Sequence, residues 1–184
     1  MTNALQYDLC VLGGGGAGLT AARTAARLGA KVVVIEKRAL GGAYLTQTIP
    51  LQAFCTAALH TGAALGAEID FVHVRTQALA AVKDFARDYA PEPLNASGIH
   101  LIRALGSFSS PARVEAGGQL IEAKHFILAT GATPAHASWP GQELIRPLML
   151  EDVLTIDRPP EDLIIIGANF QALILAQAFL RLGT

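Results

Sequence analysis

Four consecutive glycines, Gly13 to Gly16, separate an apolar run, Tyr7 to Leu12, from a segment, Ala17 to Leu28, in which Leu19, Ala22, Ala26 and Leu28 recur at helical spacing. An apolar run, a reversal that only glycine accepts easily and a 3.6-residue period read as strand, tight turn and helix. Gly29 closes the helix, and Lys31 to Glu36 follows with Val32-Val33-Val34-Ile35 unbroken by polar residues. A strand apolar on both faces belongs inside a parallel sheet covered by helices, and a helix between two such strands is the crossover that parallel pairing needs. The chain therefore opens with a βαβ unit. The fold class this predicts is α/β, with a Rossmann-like three-layer domain at the N-terminal end.

The glycines fit Gly13-x-Gly15-x-x-Gly18 at a strand-to-helix junction, and Glu36 ends the following strand. In that context the pattern is a dinucleotide-binding fingerprint. Gly13 permits the turn, Gly15 leaves the backbone open to a pyrophosphate, and Gly18 lets helix and strand approach closely. The first helical turn, at Gly16, Ala17 and Gly18, directs unpaired N–H groups at that pyrophosphate. Glu36 accepts hydrogen bonds from an adenosine ribose, and its charge repels a 2'-phosphate, which favours FAD or NAD. The same residues also read as a glycine-rich packing turn beside a solvated glutamate. Gly41-Gly42 and Ala129-Thr130-Gly131 leave two readings open as well: each lets a ligand approach the backbone, or simply reverses the chain.

Further along, Pro50 begins a helix with Leu51, Phe54, Cys55, Ala58 and Leu59 on one face, and a second helix is expected from Thr76 to Tyr89, stopped by Pro91 and Pro93. Strands are expected at Ile99 to Ala104, Arg113 to Ala116, Gln119 to Glu122 and His125 to Ala129, with Gly117-Gly118 turning an antiparallel hairpin inserted into the domain. Pro134 and Trp139-Pro140-Gly141 mark a loop, and Arg158-Pro159-Pro160 a linker. Beyond it Asp8, Gly13, Arg27, Leu28 and Gly29 recur as Asp162, Gly167, Arg181, Leu182 and Gly183 at one constant offset of 154 residues. A second strand-turn-helix starts there. It stops at Thr184 before its next strand, so the expectation is a truncated second Rossmann-like domain.

Composition removes several function classes. Fourteen basic and fifteen acidic side chains leave a net charge of -1 without a Lys/Arg tract, so neither nucleic acid nor an anionic membrane is an expected partner. The apolar stretch Leu163 to Leu180 is interrupted by Gly167, Asn169, Gln171 and Gln177, which argues against a membrane span. Cys10 and Cys55 form no C-x-x-C pair, and His60, His73, His100, His125 and His136 show no metal-ligand spacing. Met1 to Asp8 lacks the basic and apolar regions of a secretory signal, so the expected compartment is the cytoplasm.

Taken together, Tyr7-Asp8, Gly13-x-Gly15-x-x-Gly18, Glu36-Lys37, Gly41-Gly42, Ile49-Pro50, Ala129-Thr130-Gly131 and the second strand-turn-helix resemble the FAD-dependent pyridine nucleotide-disulfide oxidoreductases, in the mercuric reductase and dihydrolipoyl dehydrogenase branch. The resemblance implies an FAD-binding domain over residues 1–156 and the start of an NAD(P)H-binding domain over 157–184. It implies cofactor contacts from Gly13, Gly15, Gly16, Ala17, Gly18, Glu36, Lys37, Gly41, Gly42, Ala129, Thr130 and Gly131.

The departures are equally specific. In the family, the Gly-Gly pair leads into two cysteines with four residues between them and then Ile-Pro-Ser-Lys, the thiols forming a redox disulfide beside the flavin. Here Ala43 to Gln52 contains no cysteine, is one residue shorter and carries Gln52 in place of the lysine. In the second copy Gly167-Ala168-Asn169-Phe170-Gln171-Ala172 keeps only the first fingerprint glycine, so the NAD(P)H site is expected to be degenerate. The family's dimerisation domain has no counterpart in the sequence. The expected function is the FAD-binding portion of a flavoprotein oxidoreductase, with FAD held weakly and no catalysis by the chain alone. The alternatives are a disulfide-free NAD(P)H:acceptor or transhydrogenase-type flavoenzyme and a non-catalytic nucleotide-binding or interaction module.

Overall fold

The structure is a computed structural model that describes residues 4–60, 70–133 and 139–184. Met1, Pro134 and His136, named above, lie outside the described residues. In chain order the elements are β1 (Leu5–Leu12), α1 (Gly16–Arg27), β2 (Val32–Ile35), a π-helical turn (Tyr44–Thr48), α2 (Ile49–His60), α3 (Phe71–Arg87), α4 (Pro91–Ala96), β3 (His100–Ile102), β4 (Ser107–Ser110), β5 (Arg113–Ala116), β6 (Gln119–Leu128), two 3-10 turns (Gln142–Leu144 and Leu150–Thr155) and α5 (Phe170–Arg181). They divide into two compact units, Met1–Tyr44 with Ala86–Pro134, and Leu45–Phe85 with Ala135–Thr184.

The first unit holds a six-stranded sheet in the order β3-β2-β1-β6-β5-β4. β1 pairs in parallel with β2, from Leu9 opposite Val32 to Leu12 opposite Ile35, and in parallel with β6 on its other edge. β2 pairs in parallel with β3, while β4, β5 and the first part of β6 form an antiparallel meander. All four residues of β2 are buried, as a strand covered on both faces requires. On one face Leu9, Val11, Val32 and Val34 pack with Leu19 and Ala22 of α1 and with Leu94 of α4. On the other, Cys10, Leu12, Val33 and Ile35 pack with Val114, Ala116, Ile121 and Ala123 of the meander. Near the start of β1 the amides of Asp8 and Leu9 both donate to the Lys31 carbonyl, at 2.9 and 3.3 Å. Tyr7 joins Cys10 and Leu12 in the core on one face.

Several boundaries differ from the sequence expectation. The segments Gln119 to Glu122 and His125 to Ala129 are one strand, because β6 exchanges its antiparallel partner β5 for uninterrupted parallel pairing with β1. The strand at Ser107–Ser110 has no apolar alternation to announce it, and its register shifts between Phe108 and Ser110. Strand β3 covers only His100–Ile102 of the expected Ile99 to Ala104. Helix α3 starts at Phe71, five residues before Thr76, with the Asp70 carboxylate accepting from His73 N at 2.9 Å. Pro91 and Pro93 do not merely stop a helix: Pro91 opens α4, where its missing N–H costs nothing.

The second unit is helical. Phe54 of α2, Phe71, Val74 and Ala78 of α3, Val153 and Leu154, and Ala178 and Phe179 of α5 form its core. Phe54 meets Phe179 with ring centroids 5.2 Å apart and Phe71 edge-on at 6.1 Å. Arg75 donates to the Ile156 carbonyl at 3.0 Å and pairs with Asp157 at 2.5 Å. The second copy's turn and helix form as expected. Its apolar stretch at 163–166 forms no ladder with any described strand, and Ile164 is 88% exposed. Without a neighbouring strand, an apolar run alone does not make a sheet.

Candidate functional site

Three separate segments meet at the C-terminal ends of β1, β2 and β6. Gly13 leaves β1 with a φ of +108° while its amide donates to the Ile35 carbonyl of β2 at 2.9 Å. The chain leaving β6 crosses directly over it: Ala129 N donates to the Leu12 carbonyl at 2.8 Å, and a Cβ on Gly13 would lie 2.1 Å from Ala129 O and 2.9 Å from Thr130 N. A Cβ on Gly18 would lie 1.9 Å from Gly13 O, so α1 sits on the turn at a distance only glycine allows. On the other side Gly41 N donates to Gly14 O at 2.7 Å and Gly41 bridges to Gly15. The fingerprint, Gly41-Gly42 and Ala129-Thr130 are thus brought together. Gly131, with a φ of +72°, has nothing within 4 Å of a Cβ position, and Lys37 is exposed on the turn after β2.

Gly15 stands apart from Gly13 and Gly18. Its φ is -75°, which any residue adopts, and the nearest atom to a Cβ there is Gly41 O at 4.0 Å. Neither strain nor crowding within the chain demands glycine at this position. It is the N-cap of α1 and offers no side chain to its amides. The N–H groups of the first turn, at Gly16, Ala17 and Gly18, therefore face an open space that a side chain would otherwise fill. This is a cradle suited to a pyrophosphate, with both the donors and the room for it.

Glu36 has a role that the fingerprint pattern did not reveal. One carboxylate oxygen accepts from Gly14 N at 2.6 Å and the other from Arg38 N at 2.7 Å, so Glu36 shapes the glycine turn itself. Each oxygen keeps a second lone pair for a ribose hydroxyl. Gly14, unassigned by the pattern, is also constrained, since a Cβ there would meet Leu40 Cδ2 at 2.6 Å and Glu36 at 3.1 Å. The only signal for it was that the glycine run is longer than the motif requires. Arg103 donates to the Arg38 carbonyl at 2.7 Å and holds the turn that carries Glu36 and Lys37; nothing in its sequence context marked it.

The second copy repeats the backbone but not the cradle. Gly167 has a φ of +115°, close to that of Gly13, yet nothing lies within 4 Å of a Cβ there. Asn169 occupies the position of Gly15 and is the N-cap of α5, its Oδ1 accepting from Ala172 N at 2.8 Å. The amide end that α1 leaves open is closed in α5 by its own side chain.

Neither thiol is poised for redox chemistry. Cys10 is fully buried in β1, Cys55 donates to the Ile174 carbonyl at 3.7 Å, and both are free. Burial pushes each thiol up to about 11. Among the described residues no cluster of His, Cys, Asp or Glu is arranged to hold a metal ion. None of the described helices is long and apolar enough to cross a membrane.

A match to the pyridine nucleotide-disulphide oxidoreductase family runs over residues 7–184. The chain is 30% identical to a mercuric reductase of Staphylococcus aureus, with 97% of this chain and 35% of that protein aligned. It is 31% identical to dihydrolipoyl dehydrogenase 1, mitochondrial, of Arabidopsis thaliana, with 97% and 39% covered. The fold is similar to that of the HOCl-induced flavoprotein disulfide reductase RclA of Escherichia coli in its Cu(II) complex, with a TM-score of 0.79 at 21% identity over 96% of this chain and 40% of that one. The chain thus spans 35% to 40% of the length of these proteins. A family match that begins at the first buried strand and runs unbroken through α5 makes the chain a member of the class I pyridine nucleotide-disulphide oxidoreductases.

Proposed function

We propose that this chain is the FAD-binding portion of a pyridine nucleotide-dependent flavoprotein oxidoreductase that operates without a redox-active disulfide, and that it is inactive alone. The observation that carries the reading is the open N-terminus of α1, bordered by Gly13, Gly41-Gly42 and Ala129-Thr130 and shaped by Glu36. The amides of Gly16, Ala17 and Gly18 bind the pyrophosphate, Gly15 and Gly42 admit it to the backbone, and Glu36 accepts the ribose hydroxyls. Gly13, Gly41, Ala129, Thr130 and Gly131 form the turns around it, and Lys37 lies beside the ribose-binding residue. Residues 1–156 supply the FAD domain and 157–184 the start of an NAD(P)H domain whose own anion site is closed by Asn169. A cytoplasmic compartment is consistent with two cysteines that are both free.

Bound FAD would supply two-electron exchange with a nicotinamide or another acceptor. The residues of this chain orient the adenosine and pyrophosphate groups and offer no thiol to relay electrons. The absence of cysteine from Ala43 to Gln52 suits the disulfide-free type of flavoenzyme kept as the alternative. Equilibrium dialysis tests the reading: the purified chain binds FAD reversibly, ADP competes, and Gly15→Val abolishes both while the far-ultraviolet circular dichroism is retained. Absence of FAD and ADP binding by the parent chain would refute it.

A further inference from the structure

The Glu36 carboxylate is held on one side by Gly14 N and on the other by Arg38 N, so its orientation depends on where Arg38 sits. Two contacts from the end of β3 fix that position. Ile35 and Ile102 are the last registered pair of β2 and β3, and the Glu36 amide carries the ladder one step further by donating to the Ile102 carbonyl at 3.0 Å. That bond already joins the two strands. Arg103, the residue after β3, reaches past it and donates from Nη1 to the Arg38 carbonyl at 2.7 Å. Arg38 is thus gripped twice, at its N–H by the Glu36 carboxylate and at its carbonyl by a guanidinium. A charged donor makes the stronger kind of hydrogen bond, and this one is directed at the turn, where the sheet has no further need of it.

We propose that Arg103 is a positioning residue for the adenosine ribose: by holding Arg38 it keeps the Glu36 carboxylate turned so that its remaining lone pairs meet the ribose hydroxyls. The inference rests on the FAD reading above and adds a residue that neither the glycine pattern nor the family resemblance includes. Arg103 acts through Glu36 and makes no contact with the nucleotide. Without it the turn at 36–38 keeps its bonds to Gly14 and Ile102 but loses the tether at its far end, and the carboxylate is no longer held to one orientation. Recognition of the hydroxyls weakens, while the pyrophosphate stays on the α1 amides. A hydroxyl donating to a carboxylate is charge-assisted, so the ribose contact should be worth about tenfold in affinity.

The test compares ADP with 2',3'-dideoxy-ADP, which keeps the pyrophosphate and lacks both ribose hydroxyls. Calorimetry is run on the 184-residue chain, Arg103→Met, Arg103→Lys, Glu36→Gln, and Arg103→Met combined with Glu36→Gln. The parent prefers ADP about tenfold, and Arg103→Met lowers the preference to about threefold with little change in affinity for the dideoxy ligand. Arg103→Lys, which can still donate one hydrogen bond to the Arg38 carbonyl, keeps most of the preference. Glu36→Gln removes most of it, and in that background Arg103→Met lowers it no further. An unchanged preference in Arg103→Met, or an equal loss of affinity for both ligands, would overturn the proposal while leaving the cofactor site standing. Additive losses in the combined variant would show that Arg103 does not act through Glu36, and a loss in Arg103→Lys equal to that in Arg103→Met would exclude the carbonyl contact as its route; either overturns it. A parent that binds both ligands equally refutes the ribose contact and this inference with it, and a parent that binds neither refutes the cofactor reading as a whole.

Discussion

Adding one methyl group at Gly18 and one at Gly15 should have unequal effects on stability, though both residues belong to one motif. At Gly18 the new carbon would lie 1.9 Å from Gly13 O and 3.1 Å from Gly13 C. An acceptable carbon-to-oxygen contact is about 3.3 Å, so α1 must move off the turn by roughly 1.4 Å. The obstacle is backbone fixed between β2 and β6, and no side chain can rotate away to relieve it. Alanine inside a helix normally gains about 1 kcal/mol over glycine, while overpacking of this kind costs about 3 kcal/mol. The expected net loss in Gly18→Ala is about 2 kcal/mol. At Gly15 the nearest atom is 4.0 Å away and φ is -75°, so Gly15→Ala should stay within about 1 kcal/mol of the parent, the residual cost being a poorer N-cap. Its effect should fall on nucleotide binding. The three tyrosines, Tyr7, Tyr44 and Tyr89, all belong to the first unit, whereas the single tryptophan, Trp139, belongs to the second. Near-ultraviolet circular dichroism of tyrosine therefore follows the relevant unit through a urea titration, and a slope of about 2 kcal/mol/M makes the Gly18→Ala shift about 1 M. Equal stability losses in the two variants would show that the Gly15 position is as crowded as Gly18 and refute the division of roles.

Three further outcomes follow from the geometry. Asp8 accepts from Lys124 Nζ at 2.7 Å and from Lys31 N at 2.9 Å, and the Lys124 hydrogen bond is the main reason its carboxyl is held below the ordinary value of 3.8. A depressed carboxyl stabilises the fold above its unfolded pKa and loses that contribution as pH falls through the folded value, so Lys124→Met should reduce stability at neutral pH, leave acidic conditions little changed and raise the Asp8 titration followed by NMR. Thiols pushed up to about 11 stay protonated at pH 7, so native Cys10 and Cys55 should resist iodoacetamide, both reacting only on unfolding, and the chain should not reduce Hg(II) or a lipoyl disulfide with NAD(P)H. Asn169→Ala removes the acceptor of Ala172 N and should cost the second unit about 1 kcal/mol, read by Trp139 fluorescence during denaturation.

The parts of the fold legible in the sequence are those where local pattern and tertiary need coincide. Val32 to Ile35 can be apolar throughout only if both faces of β2 are covered, and Gly13 and Gly18 can pack as they do only without side chains. Ser107–Ser110 was illegible because its strand character comes from pairing with β5, and Pro91–Ala96 because proline reads as a stop until its place at the first helical position is known. The site divides in the same way. Glycine identity exposed the cradle, but the hydrogen bond from Gly14 to Glu36 and the hold of Arg103 on the Arg38 carbonyl depend on how distant segments meet, which spacing along the chain does not encode.

The contrast between Gly15 and Asn169 separates the energetics of the two units. A helix that caps itself is complete when it folds; one whose first amides point into an open cradle gains stability whenever an anion settles there. A nucleotide at a hundredfold excess over its Kd adds about 2.7 kcal/mol to the unit that binds it. On the proposed FAD reading, the resistance of the first unit to proteolysis should rise with cofactor supply, whereas the cap of α5 makes no such demand. One position, glycine in the first copy and asparagine in the second, decides whether a helix N-terminus is left open or closed by its own side chain.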